Sequence, residues 1–207
     1  MTPSDRQALE ARVEALCREG RMEEAATATV DGYGPEILGF ALNLLRDEAL
    51  ADDCFSLFCE DLWRGLAGFR WQASLRTWIY TLARNASARV RADPHRRAAR
   101  NLALSASPAV AEAAVQVRTR TQPHLRTEVR DDVARLREAL SEEDRLLLIL
   151  RVDRALPWLE IAEVTAGDGA DAATVKRESA RLRKRFQLIK DQLREAAIQA
   201  GLLGTTG

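Results

Sequence analysis

The stretch Phe69-Arg70-Trp71-Gln72-Ala73-Ser74-Leu75-Arg76-Thr77-Trp78-Ile79-Tyr80-Thr81-Leu82-Ala83-Arg84-Asn85, running on through Ala86 to Arg91, decides how this chain is read. Leu75, Trp78, Ile79, Leu82, Ala83, Ala86 and Val90 recur at helical spacing, which argues for an amphipathic α-helix and against the alternation of a strand. The spacing predicts a helix over 75–91 with Trp78 on its core arc. On the opposite side Arg76, Tyr80, Arg84, Ser87 and Arg91 form a polar stripe expected to face outward. Phe69, Trp71 and Ser74 precede it in a loop. Asp93-Pro94 ends it, because a residue before proline is pushed out of the helical region. Between Arg70 and Arg100 there are eight arginines and one acidic residue, Asp93. Aromatic rings beside concentrated positive charge suit a groove that follows phosphates and stacks unpaired bases.

The flanking segments extend the helical pattern. Residues 4–29 read as helix, split near Gly20, and Gly32-Tyr33-Gly34-Pro35 reads as a break before a helix ending near residue 45. Residues 49–66 form a further helix with Phe55, Phe58, Leu62 and Leu66 on one side and Asp52, Asp53, Glu60 and Asp61 on the other. From 101 to 127 no apolar period is sustained, so a linker is expected, with a helical piece over 109–117. Ser141 before Glu142, Glu143 and Asp144 is an N-cap followed by acids that favour the helix dipole. A short helix from Pro157 to Val164, a turn at Gly167-Asp168-Gly169 and a long basic helix capped by Asp171 complete the chain. In that last helix Val175, Leu182, Phe186 and Ile189 are expected to face the core. Helix, turn and basic helix is the pattern of a helix-turn-helix DNA reader. Lys176, Arg177 and Ser179 near its start are placed to reach base edges, and the basic residues from Arg183 to Arg185 to neutralise phosphates. No strand alternation is present. The expected fold is all-α: two small helical domains, 1–100 and 128–207, joined by a flexible linker over 101–127.

Composition narrows the function. The 207 residues are 46% hydrophobic and 30% charged with a formal net charge of zero, which fits a folded helical protein. The neutrality hides segregation: residues 36–61 hold seven acids and one arginine, and 176–190 hold seven basic residues and one glutamate. Separate charged faces imply separate partners. The longest apolar run, Leu146 to Leu150, is far too short to cross a membrane, and the acid-interrupted N-terminus does not read as a signal peptide. Cys17, Cys54 and Cys59 form no CxxC pair, which fits reduced thiols in a cytoplasmic protein. His95 and His124 are the only histidines, so no zinc site is expected. Asp52 and Asp53 lack a third metal ligand, and neither a carboxylate–base cluster nor a phosphate-cradling glycine loop is present. No enzyme, metal or cofactor is expected.

Taken in order, these motifs resemble the extracytoplasmic-function group of bacterial RNA polymerase sigma factors. The likeness is carried by Tyr33-Gly34-Pro35, Ala51-Asp52-Asp53 with Trp63, Phe69-Arg70, Ser74 to Tyr80 and Ala83-Arg84-Asn85. Leu140 to Glu143, Glu160-Ile161-Ala162 and Thr174-Val175-Lys176 carry it downstream. The resemblance implies that the acidic helix, with Asp52, Asp53, Ser56, Glu60 and Trp63, docks on the clamp helices of the largest core RNA polymerase subunit. It implies that Phe69, Trp71, Ser74, Arg76, Tyr80, Arg84, Asn85, Ala88, Arg89 and Arg91 open the promoter −10 region and hold an extruded base. Thr174, Lys176, Arg177, Ser179, Arg181 and Lys184 would read the −35 element, and an anti-sigma factor would hold the protein inactive. Ser56 stands where the group usually has glutamine and Cys59 where it often has phenylalanine, and the turn before Thr174 is longer than usual. The competing reading is a helix-turn-helix regulator that acts on duplex DNA without polymerase.

Overall fold

The computed structural model describes residues 1–92, 107–128, 136–137, 139–167 and 169–202, which divide into two compact units, Met1–His124 and Leu125–Gly207. No strand occurs among the described residues; the chain is all-α. In the first unit α1 (Pro3–Arg18), α2 (Met22–Leu45), α3 (Glu48–Gly65) and α4 (Leu75–Ala92) pack around Phe40, Phe55, Phe58, Leu62 and Ile79, all fully buried. A capping box between Thr2 and Asp5 starts α1, and Gly20, at φ 74°, separates it from α2. Asp47 caps α3 by accepting the Leu50 N–H at 2.9 Å.

Two sequence expectations are corrected here. The Gly32-Tyr33-Gly34-Pro35 segment is no break: α2 runs through it, with Pro35 inside the helix and exposed to solvent. The glycines serve close approach instead. A Cβ on Gly34 would lie 2.8 Å from Val117 Cγ2 and 3.4 Å from the Phe55 ring, so helices come together at this point with no room for a side chain. Tyr33 between them is fully buried and donates its hydroxyl to Glu10 at 2.8 Å. Packing therefore offsets the roughly 3 kcal/mol that a helix-interior proline forfeits.

The second correction concerns the expected linker. Its C-terminal part is a helix, α5 (Pro108–Glu128), longer than the piece foreseen, and up to His124 it groups with the first unit. Val110, Ala113, Ala114 and Val117 make a buried stripe at helical spacing. Small residues kept that stripe's apolar signal weak. Ser107 ahead of the helix donates to Glu23 at 2.9 Å, which ties its start to α2.

In the second unit, Ser141 and Asp171 are the N-caps foreseen. Ser141 Oγ accepts the Asp144 N–H at 3.2 Å, and Asp171 Oδ1 accepts the Thr174 N–H at 2.6 Å. The elements are α6 (Glu142–Leu148), a π-helical turn (Ile149–Asp153), α7 (Trp158–Ala166) and α8 (Ala172–Gln199). Gly167 and Gly169 take φ of 84° and 85°, the left-handed conformation that lets the chain reverse between α7 and α8. Arg185 of α8 forms a two-pronged ion pair with the buried Asp144, at 2.6 and 2.5 Å. Trp158 meets Phe186 edge-on at 5.4 Å and lies under the Arg151 guanidinium at 4.8 Å.

Two outcomes follow from this packing. Gly34→Val overfills the contact with Val117 and lowers stability by about 2 kcal/mol in urea unfolding, and Val117→Ala in the same chain recovers part of the loss. The Asp144 carboxyl is held below its ordinary value by the hydrogen bonds from Arg185, with Ser141 adding to the effect. A lowered folded-state pKa means that this stabilisation is present above the unfolded carboxyl value, near pH 4, and is lost as pH falls through the folded one. Asp144→Asn therefore destabilises the second unit at pH 7 by about 1–3 kcal/mol, and the difference from the parent narrows below pH 4.

Candidate functional site

The basic helix α4 is more enclosed than its sequence pattern indicates. Leu75, Ile79, Ala83, Ala86 and Val90 are fully buried, but so is Tyr80, and Arg76 is only 5% exposed. The side expected to face outward is turned onto α2. Arg76 donates to Glu36 Oε1 from Nε at 3.0 Å and from a terminal nitrogen at 2.5 Å, and the Tyr80 hydroxyl donates to the same oxygen at 2.7 Å. The Arg76 backbone N–H reaches Glu10 at 3.2 Å, so α1, α2 and α4 share one buried polar network. Burial opposes the Arg76 charge, but the Glu36 carboxylate and the tyrosines outweigh it and hold its pKa above the ordinary arginine value. Lower on the same side, Arg91 donates to the Leu44 carbonyl at 3.1 Å and Ser87 is buried. Arg76 and Tyr80 are thus corrected from DNA-facing residues to residues that fasten the helix. Their half-buried partner lies 40 and 44 residues away in the sequence, beyond the reach of a periodicity argument.

What α4 leaves open is the edge opposite Glu36. Trp78, Leu82 and Asn85 are half-buried there, and Ala88 and Arg89 are exposed. Trp78 was expected in the core. Instead its ring stacks on Phe69 at 4.5 Å with a 16° tilt, and Phe69 packs on Trp71 at 4.9 Å. Trp71 holds a φ of 57°, a left-handed conformation that a non-glycine residue keeps only where its surroundings fix it. Ser74 closes the loop as a cap, its hydroxyl accepting the Thr77 N–H at 3.0 Å and sharing a hydrogen bond with Thr77 Oγ1 at 2.8 Å. Three half-exposed aromatic rings therefore pack together, and one of them, Trp78, lies on the α4 edge that carries Asn85 and Arg89. Trp78 is the member that sequence reasoning missed, although its spacing to Leu82, Asn85 and Arg89 (four, seven and eleven residues) marks one helix edge.

Charge on this edge is partly committed. Arg89 forms an ion pair with Asp61 of α3. Burial pushes the Asp61 carboxyl above its usual range, and Arg89 pulls the other way without restoring it. Arg84 is half-buried beside Asn85. Such a surface can stack bases and, with Arg89 exchanged from Asp61 to a phosphate, hold a strand.

On the acidic helix α3, Asp52, Asp53, Ser56, Glu60 and Trp63 are all half-buried. Glu60 pairs with Arg64. Arg118 of α5 contacts Ser56 Oγ at 2.7 Å, the Asp52 carbonyl at 3.3 Å and the Asp52 carboxylate at 3.7 Å. Burial raises the Asp52 carboxyl above its usual range, against the pull of Arg118. Beneath this face Cys54 and Cys59 are fully buried and their thiols are pushed up to about 12 by desolvation, so they are inert at neutral pH.

On α8, Lys176, Arg177 and Lys184 are exposed, and Thr174 is half-buried behind Arg177, which donates to its hydroxyl at 3.2 Å. Arg181 is exposed but paired with Glu178 at 2.7 Å. Ser179, expected at the bases, is 3% exposed and is corrected to a packing residue. Arg185, expected on phosphate, holds Asp144 instead. Among the described residues no cluster of metal-ligating side chains occurs, and no helix is long and apolar enough to cross a membrane.

Residues 29–105 match the family model of sigma-70 region 2. No match was found among the curated proteins or among the solved structures. The matched stretch takes in α3, α4 and most of α2, and sigma-70 region 2 is, in the proteins that carry it, the domain that binds core RNA polymerase and melts the −10 region.

The buried network yields a direct test. Arg76→Ala removes the guanidinium from the half-buried Glu36 carboxylate and lowers the stability of the first unit by about 3 kcal/mol in thermal or urea unfolding. A residue acting only on DNA would leave the unfolding midpoint where it is.

Proposed function

We propose that this chain is a promoter-specificity subunit of the extracytoplasmic-function kind, acting in the cytoplasm with core RNA polymerase. The observation that carries the reading is the line of half-exposed rings, Phe69, Trp71 and Trp78, leading into Asn85, Ala88 and Arg89 within the stretch that matches region 2. Opening a duplex makes and breaks no covalent bond. It requires compensation for unstacking, a few kcal/mol per step. Stacking on aromatics returns about 1–3 kcal/mol per base. The aromatic loop receives the extruded base of the −10 element, and Asn85, Ala88 and Arg89 line the path of the strand, with Arg84 and Arg91 adding positive charge.

In this reading the acidic face of α3 docks on the clamp helices of the largest polymerase subunit. An anti-sigma factor would act by occupying that face. The second unit works as a helix-turn-helix module whose long helix α8 enters the major groove at the −35 element. Lys176 and Arg177 near its start reach for base edges, Lys184 and Arg183 meet phosphates, and Thr174, Asp171 and Glu178 set the geometry of the start of the helix.

Co-purification from the native cell tests the reading: core polymerase subunits accompany the tagged chain, and their absence contradicts it. On a promoter fragment, Phe69→Ala or Trp71→Ala slows opening about tenfold each, equivalent to about 1.4 kcal/mol of lost stacking. Arg84→Ala combined with Arg89→Ala also weakens opening. Core affinity stays within about twofold of the parent in all of them, and its loss would contradict the separation of the two faces.

A further inference from the structure

We propose that α5 is a cover in cis: the chain's own helix lies over the Asp52–Ser56 end of the α3 docking face, and full engagement of core polymerase requires it to lift. This rests on the reading of α3 as the polymerase-docking face. The covering contacts are specific. Arg118 sits 5.2 Å over the Phe55 ring, donates to Ser56 Oγ at 2.7 Å and faces the Asp52 carboxylate at 3.7 Å. An incoming donor directed at Asp52 or Ser56 therefore finds acceptors already occupied and must displace the guanidinium.

The contact is also built to be reversible. Among the residues of α5 whose side chains are described, the buried apolar ones are two valines and two alanines, Val110, Ala113, Ala114 and Val117. Short side chains bury little apolar area each, so this stretch contributes less burial than the phenylalanines and leucines of α3 and α4. The Arg118–Asp52 pair is itself partly solvated, with side chains 22% and 40% exposed, and such pairs exchange at low cost. At its start α5 is secured by the buried Ser107 to Glu23 of α2. Its far end carries the chain onward to the second unit, so the helix can swing out about Ser107 without detaching.

The decisive experiment locks the cover in the full-length chain. A Cβ at position 34 points at Val117 Cγ2 from 2.8 Å, within reach of a disulfide once both residues are cysteine. Gly34→Cys with Val117→Cys, in a Cys17→Ser background, is assayed for core polymerase affinity oxidised and reduced, with circular dichroism confirming equal helix content. The cover predicts at least tenfold weaker binding in the oxidised form than in the same protein reduced. Arg118→Ala, unlocked, is expected to bind about threefold or more tightly than the parent. Equal or tighter binding by the oxidised form overturns the cover while leaving the docking role of α3 intact. If neither the parent nor any variant binds core polymerase, the docking reading itself falls and the cover falls with it.

Discussion

The Glu36 carboxylate, taking up Arg76 and Tyr80 together, is the constraint on which the first unit depends. A helix with an apolar arc and a basic arc has more than one way to lie on its neighbours. Placing a buried guanidinium and a buried phenol on one half-buried carboxylate oxygen removes that freedom, because rotation of α4 would take the Arg76 charge from its partner. Buried ion pairs are seldom the most stabilising solution, and here the pair acts on orientation. It fixes the side of α4 that is closed, and so the opposite edge, with Trp78, Asn85 and Arg89, is the side that is open. Tyr33 and Glu10 extend the same network to α1.

From that orientation the two working surfaces of the first unit follow. The aromatic loop folds back so that Phe69 stacks on Trp78, and in the proposed role this would pre-arrange the rings before a base is bound. The acidic residues of α3 are half-buried, and Arg118 of α5 meets two residues of that helix, Asp52 and Ser56. The two candidate surfaces share α3, since Asp61 of that helix holds Arg89 of the open α4 edge. Under the proposed function, docking and DNA capture would thus share one helix, although their contact residues differ.

Local chemistry was well written in the sequence. Ser141 and Asp171 cap helices as their neighbours indicate, Gly20 separates α1 from α2, and the glycines before α8 take the positive φ that a reversal requires. Those features need only adjacent residues. Harder to read was anything decided by a distant partner. Arg76 and Tyr80 share a face with Arg84 and Arg91, and only Glu36, far upstream, shows that the face is closed. Gly32 to Pro35 has the composition of a turn, and the approach of Val117 explains why it is a continuous helix instead. The stripe of α5 is faint in the sequence because alanine and valine carry too weak an apolar signal to stand out among serines, threonines and glutamines. Of the candidate site, Phe69, Trp71, Asn85, Ala88 and Arg89 lie along one open edge. Ser179 and Tyr80 lie inside, where polar groups serve packing rather than recognition.

The central claim is that this chain opens promoter DNA together with core polymerase. The most direct measurement places a fluorescent base analogue through the candidate −10 region of a duplex selected from a random library by the assembled complex. The account predicts a fluorescence rise, signalling unstacking, only when the chain and core enzyme are both present. Binding of the duplex by the chain alone, with no rise on adding core enzyme, would contradict it and favour a regulator that acts without polymerase.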